Sequence, residues 1–157
     1  MEFREIIRQF GTKIGMADLS PDETNSCHLK IDDMSVSFME DLASGGIVTW
    51  AEICAPPADG AEMLNRVLME AMFMGQGTAG SVFSIEPESG KIFLHRVDPL
   101  AALDLDSFSA MLEKFVNTLE LWRKTIADFR PVAEAVKKAN VEAEQVSGFG
   151  LDGFMQV

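Results

Sequence analysis

Few residues in this chain have the chemistry to build a reactive site. Its only imidazoles are His28 and His95, and its only thiols are Cys27 and Cys54. Cys27 beside His28 has the makings of a thiol–imidazole pair, in which the base removes the thiol proton and leaves a nucleophilic thiolate. Alternation rules against it. Both residues fall in a run that reads as a strand, where neighbouring side chains point to opposite faces. Neither histidine has a second nitrogen or thiol at ligand spacing, so no metal is expected. Two stretches, Gly75-Gln76-Gly77-Thr78-Ala79-Gly80 and Gly148-Phe149-Gly150-Leu151-Asp152-Gly153, match the glycine pattern of dinucleotide sites. That pattern works only with a strand before it and a helix after it, so that a pyrophosphate meets the helix N-terminus. The first match has the reverse order and the second runs to the end of the sequence. The acidic residues are scattered over helix faces and turns, and none sits in an apolar setting that would raise its pKa for acid–base work. No nucleophile, general base, metal ligand or cofactor cradle stands out, and the chain does not read as an enzyme.

What it has instead is soft apolar surface. Ten methionines and eleven phenylalanines occur without a single tyrosine, a composition suited to surfaces that accept more than one shape. Met69, Met72, Phe73 and Met74 gather at the end of the run from Asp59 to Met74, which the rest of the chain is organised around. Asp59 is placed to cap a helix there and Gly75 to stop it. Met63, Leu64, Val67 and Leu68 form one apolar stripe, but the last turns are apolar on nearly every side. Such a helix needs cover from two directions. A sheet supplies one and a second copy of the chain is the candidate for the other.

The elements that flank this helix follow from periodicity. Residues 2–15 carry Phe3, Ile7, Phe10 and Ile14 at helical spacing, widened by Ile6. Residues 26–32 and 34–40 alternate about a reversal at Asp32-Asp33, as half-buried strands do. Ile47 to Ala55 is apolar on both faces and reads as a central strand. After Gly75, residues 80–86 and 91–97 form a second hairpin. Asp104 or Asp106 then caps a long helix whose Leu105, Phe108, Leu112, Phe115, Leu119, Trp122, Ile126 and Phe129 follow a strict heptad period. Bulky aromatics at these positions favour packing across a sheet over a coiled-coil seam. Pro131 restarts a helix over 131–146, and a glycine-rich tail follows. The expected fold is α+β: an antiparallel twisted sheet of about five strands with helices on one face, in the order α-β-β-β-α-β-β-α. A domain over 1–130 is followed by a C-terminal helical extension and tail over 131–157.

Composition limits the partners. A chain of 157 residues with 47% apolar content is long enough for one real core. Its formal charge, 13 − 25 = −12, makes nucleic acid and anionic membrane poor partners. No stretch approaches the roughly 20 apolar residues of a membrane span, and MEFREIIRQF is no signal peptide. Cysteines placed inside strands fit free thiols in a reducing cytoplasm.

The stretches IIRQFGTKIGM, SCHLKIDDMSVSFMED and IVTWAEIC resemble the N-terminal half of type III secretion chaperones of the Tir-chaperone (CesT-like) family. The family's first-helix pattern L-x-x-F-x-x-x-I-G falls on Ile6/Ile7, Phe10, Ile14 and Gly15, and its turn on Ile31-Asp32. The resemblance runs from residue 2 to about 128, and the helix 131–146 and the tail extend beyond it. It implies a homodimeric, non-enzymatic chaperone of the bacterial cytoplasm that needs no cofactor. Such a protein binds the N-terminal region of a secreted effector and keeps it partly unfolded. It also implies a dimer contact on the second helix, here Met63, Val67, Glu70, Ala71 and Met74. For the groove that receives the client, the expected residues are Ile6, Phe10, Ile14, Val36 and Phe38. Two other readings stay open at this point: a dimeric adaptor that binds a folded partner, and a small-molecule binder or enzyme with a pocket near Trp122.

Overall fold

The fold was analysed in a computed structural model that describes residues 2–131. Its elements are α1 (Phe3–Lys13), β1 (Ser26–Ile31), β2 (Met34–Asp41), β3 (Gly46–Cys54), α2 (Ala61–Ala71), β4 (Val82–Ile85), β5 (Ile92–Pro99) and α3 (Leu105–Ala127). This is the α+β order that the periodicities predict. Apart from Pro131, the helix expected over 131–146 and the tail lie outside the described residues.

The strands form one sheet in the order β1-β2-β3-β5-β4, and every neighbouring pair is antiparallel. β3 is central, as its two-sided apolar pattern requires. Val36, Ala51, Leu94 and Phe83 stand opposite one another along one row, and with Phe38, Ile47 and Ile92 they define the core face. α1 lays Phe3, Ile6, Ile7 and Phe10 on this face, and α3 lays Phe108, Leu112, Phe115, Leu119 and Trp122 beside them. Phe108 is the joint. Its ring meets Phe10 edge-on at 5.3 Å and Phe38 at 5.6 Å, which locks α1, α3 and β2 together. The heptad stripe of α3 therefore packs across a sheet. The helix starts where Asp104 accepts a bond from the Ser107 backbone N–H at 2.8 Å, while the Ser107 hydroxyl accepts the Asp104 N–H at 2.8 Å.

α2 is shorter than its apolar run. Gly60, at φ 74°, takes the position before the helix, and no side chain caps the end, so Asp59 does not play that role. Pro131 presses on Gly60 so closely that a Cβ there would lie 2.6 Å from the proline Cβ. At the other end the chain leaves the helix at Met72, makes one 3₁₀ turn over Phe73–Gly75, and puts Met74 at φ 55°. The break has a steric cause. Gly77 must reach Trp122, whose indole N–H donates to its carbonyl at 2.8 Å. A Cβ on Gly77 would come within 2.7 Å of the Ala71 carbonyl. The glycines of the first pattern thus serve a tight return between α2 and β4, with no strand before them. The same return takes Gly80 and Ser81 out of β4, which begins at Val82.

Thr49 lies on the core face of β3, opposite Arg96, and its buried hydroxyl has no hydrogen-bond partner. Replacing a lone buried hydroxyl with a methyl group of the same shape removes a desolvation penalty of about 1–3 kcal/mol. Thr49→Val should therefore raise the urea midpoint of unfolding by an amount worth about 1 kcal/mol. A lower midpoint would show that the hydroxyl is satisfied in solution.

Candidate functional site

β3 carries apolar side chains on both faces, but among the described residues helices cover only one. On the opposite face the register sets out three adjoining rows. Met39, Val48 and Val97 form the first. His28, Ser37, Trp50, His95 and Val82 form the second, which crosses the whole sheet. Glu52, Phe93 and Ser84 form the third. Val97 is 53% exposed, Val82 41% and Met39 37%, while Val48, Trp50 and Phe93 are half-buried by their neighbours. The charged groups on this face sit at its margins: Lys30, Asp41, and Glu52, which is tied to Lys91 at 2.8 Å. A protein of net charge −12 thus keeps one broad face apolar and nearly neutral.

Polar groups on this face are held by short contacts. His28 stands edge-on to the Trp50 ring at 6.4 Å, with Nδ1 2.8 Å from the Ser37 hydroxyl. His95 lies directly opposite Trp50 on β5, with Nδ1 3.2 Å from the Ser84 hydroxyl. Burial pushes the His95 imidazole below its ordinary pKa. Cys27, by contrast, points into the core, and burial raises its thiol pKa. It shares no face with His28, as alternation requires.

Next to this face runs a free strand edge. β1 pairs only with β2. The Ser26 N–H donates to the Asp22 carboxylate and the Ser26 carbonyl accepts the Asp22 N–H, so both point away from the sheet. By the antiparallel alternation, the backbone groups of His28 and Lys30 point the same way and are open to another strand. A depression of about 560 Å³, lined by residues 15–20 with Asp22, Cys27 and His28, adjoins this edge.

The second bare surface is the outer side of α2. Leu64 and Leu68 are buried and Met63, Val67 and Ala71 half-buried. Met69, Phe73 and Met74 are 70%, 72% and 79% exposed. Two concavities meet at Asn65 and Met69. The larger, about 830 Å³, is lined by Arg66, Glu70 and Phe73. The smaller, about 320 Å³, lies between Met72 of the α2 end and Phe83 and Ile85 of β4. Glu70 is exposed and paired with Arg66 at 2.8 Å.

The residues expected to form the client groove divide by exposure. Ile6, Phe10, Val36 and Phe38 are core residues in the single chain. The reason is that α1 and β2 turn their apolar sides toward each other around Phe108. Ile14, just past the end of α1, is the exposed member at 41%. The outward set Met39, Val48, Trp50, Val82, Phe93 and Val97 is absent from the expected residues. Its signal in the sequence is the two-sided apolar pattern of β3. Trp122 is 8% exposed, with its ring edge-on to Phe83 at 5.0 Å.

Residues 5–123 match the model of the Tir chaperone protein (CesT) family. The chain belongs to that family. No curated protein matches it in sequence. Several solved structures share its fold. The ExsC–ExsE complex has 21% identity and a TM-score of 0.67, covering 77% of this chain and 90% of the other. The HopA1–SchA chaperone–effector complex has 15% identity and a TM-score of 0.65, covering 78% and 93%. The ExoT–SpcS complex from Pseudomonas aeruginosa has 21% identity and a TM-score of 0.55, covering 75% and 94%. Among the described residues no helix is long and apolar enough to cross a membrane, and no group of three or more potential metal ligands occurs.

The two tryptophans should report this asymmetry directly. Trp50 is half-buried on the open face and Trp122, on the inner side of α3, is 8% exposed. Iodide should therefore quench one component of the emission, and Trp50→Phe should remove that component. Persistent quenching in the variant would mean that Trp122 is the accessible ring.

Proposed function

We propose that this protein is a cytoplasmic chaperone for a type III secreted effector, acting as a homodimer. It holds the effector's N-terminal segment partly unfolded and competent for secretion. The family match supports the class, and the shared fold of the chaperone–effector complexes is consistent with an effector as partner. The observation that carries the reading is the open sheet face beside the free β1 edge. A client kept from folding must place its apolar side chains elsewhere, a gain of about 25 cal/mol for each Å² buried. The rows around Trp50 offer that burial. The β1 edge adds backbone hydrogen bonds, which hold a strand without reading its side chains. No step needs a nucleotide, because binding alone keeps the segment extended. Net charge −12 keeps a protein with this much bare apolar surface soluble.

In this reading the client lies over Trp50, Val48, Met39 and Phe93. Ile14 stands near the β1 edge, and the other four expected groove residues support the face from behind. The dimer forms through α2 and the β4 edge. Met63, Val67, Glu70, Ala71 and Met74 lie in the contact, together with Met69 and Phe73.

Two measurements test these assignments. The first is binding of isolated N-terminal segments of candidate type III effectors. Trp50→Ser should weaken that binding at least about tenfold, the loss typical of a central aromatic anchor, with the native circular dichroism spectrum retained. If the wild type binds only a folded partner, or the variant binds equally well, the reading fails. The second is solution mass. The wild type should run at twice 17.2 kDa, and Met69→Glu combined with Met74→Glu should reduce it to a single chain. A monomeric wild type, or a dimer that survives both charges, would remove α2 from the contact.

A further inference from the structure

The row that crosses the open face holds an indole between two imidazoles. Trp50 faces His28 across 6.4 Å and is paired in register with His95. No other histidine occurs in the chain, so both of its imidazoles stand on the one apolar face. We infer that client binding here is coupled to the protonation of His28 and His95: the segment docks while both rings are neutral and leaves as they take up protons. This rests on the reading that the open face carries the client.

The physical reason is desolvation. A segment that covers Trp50 with apolar side chains also removes water from rings within reach of the indole. An imidazolium loses its hydration there and gains nothing in return unless a carboxylate faces it. The charged groups around the row give little such compensation. On the β3 and β5 side, Glu52 is already bonded to Lys91 at 2.8 Å, and β4 contributes only Val82 and Ser84 opposite His95. Arg96 and Asp98 point to the other face and bond each other. On the β1 side, Lys30 adds a like charge. Asp22 lies within charge range of His28, but its carboxylate is already engaged by bonds from Thr24 and Ser26. β2 contributes Ser37 to His28 and, at its far end, Asp41, whose carboxylate accepts the Ala43 N–H in the turn. Burial already disfavours the charged form of His95 before any client arrives, so cover from a client pushes in the same direction.

The sign follows from linkage. Binding that favours the neutral rings releases protons, so affinity is full above the imidazole range and falls as the pH drops through it. Each ring that must shed a proton costs about tenfold per pH unit below its pKa.

The test uses the full chain and the fluorescently labelled N-terminal effector segment found to bind it at the higher pH. Between about pH 7.5 and pH 5.5, wild-type affinity should fall at least about tenfold. Whatever its affinity at the higher pH, the His28→Asn, His95→Gln double variant should keep that affinity nearly unchanged as the pH falls. Calorimetry in buffers of different ionisation enthalpy should show proton release by the wild type near pH 6 and none by the variant. A flat wild-type profile, or an equal fall in the variant, overturns the coupling and leaves the client-binding reading intact. An absence of binding at the higher pH overturns both.

Discussion

A single set of helices cannot cover two apolar faces of one sheet, and this constraint shapes the molecule. β3 is apolar on both sides because it lies in the middle of the sheet. α1 and α3 satisfy one side through the ring of Phe108 wedged between Phe10 and Phe38. The opposite side keeps Val48 and Trp50, extended by Met39 on β2 and by Phe93 and Val97 on β5. A surface of this kind is costly to leave in water. It persists here beside a free strand edge, in a chain whose acidic groups otherwise crowd its exterior.

The same shortage of cover appears at α2. Leu64 and Leu68 face inward, but the helix ends on Met69, Phe73 and Met74 in full exposure. The chain breaks there because Gly77 has to come close enough to accept the Trp122 indole proton. That bond brings β4 back alongside β5, and it turns the last apolar turns of the run outward. Two bare apolar surfaces, one on the sheet and one on the helix, therefore stand on one small domain.

Much of this was legible in the residues. Strand alternation about Asp32-Asp33 and the helical periodicities, the heptad spacing of α3 among them, located the five strands and three α-helices in order, and the two-sided pattern of β3 marked the middle of the sheet. The side chains that face outward were harder to find. Ile6, Phe10, Val36 and Phe38 have the same composition and spacing as an exposed groove, and only the register and the position of Phe108 show that they are interior. Periodicity identifies an apolar face but does not say which neighbour fills it. The end of α2 was misplaced for a similar reason. Local propensity favours a helix through Met74, and a long-range contact from Trp122 overrides it.

The most direct test of the central claim is solvent protection across the sheet when a client segment is bound. Hydroxyl-radical footprinting of the complex should show protection at Met39, Trp50 and Phe93 on the open face, with slowed amide exchange along β1 at His28 and Lys30. Protection confined to α1 and α3, with the sheet face still reactive, would contradict the account.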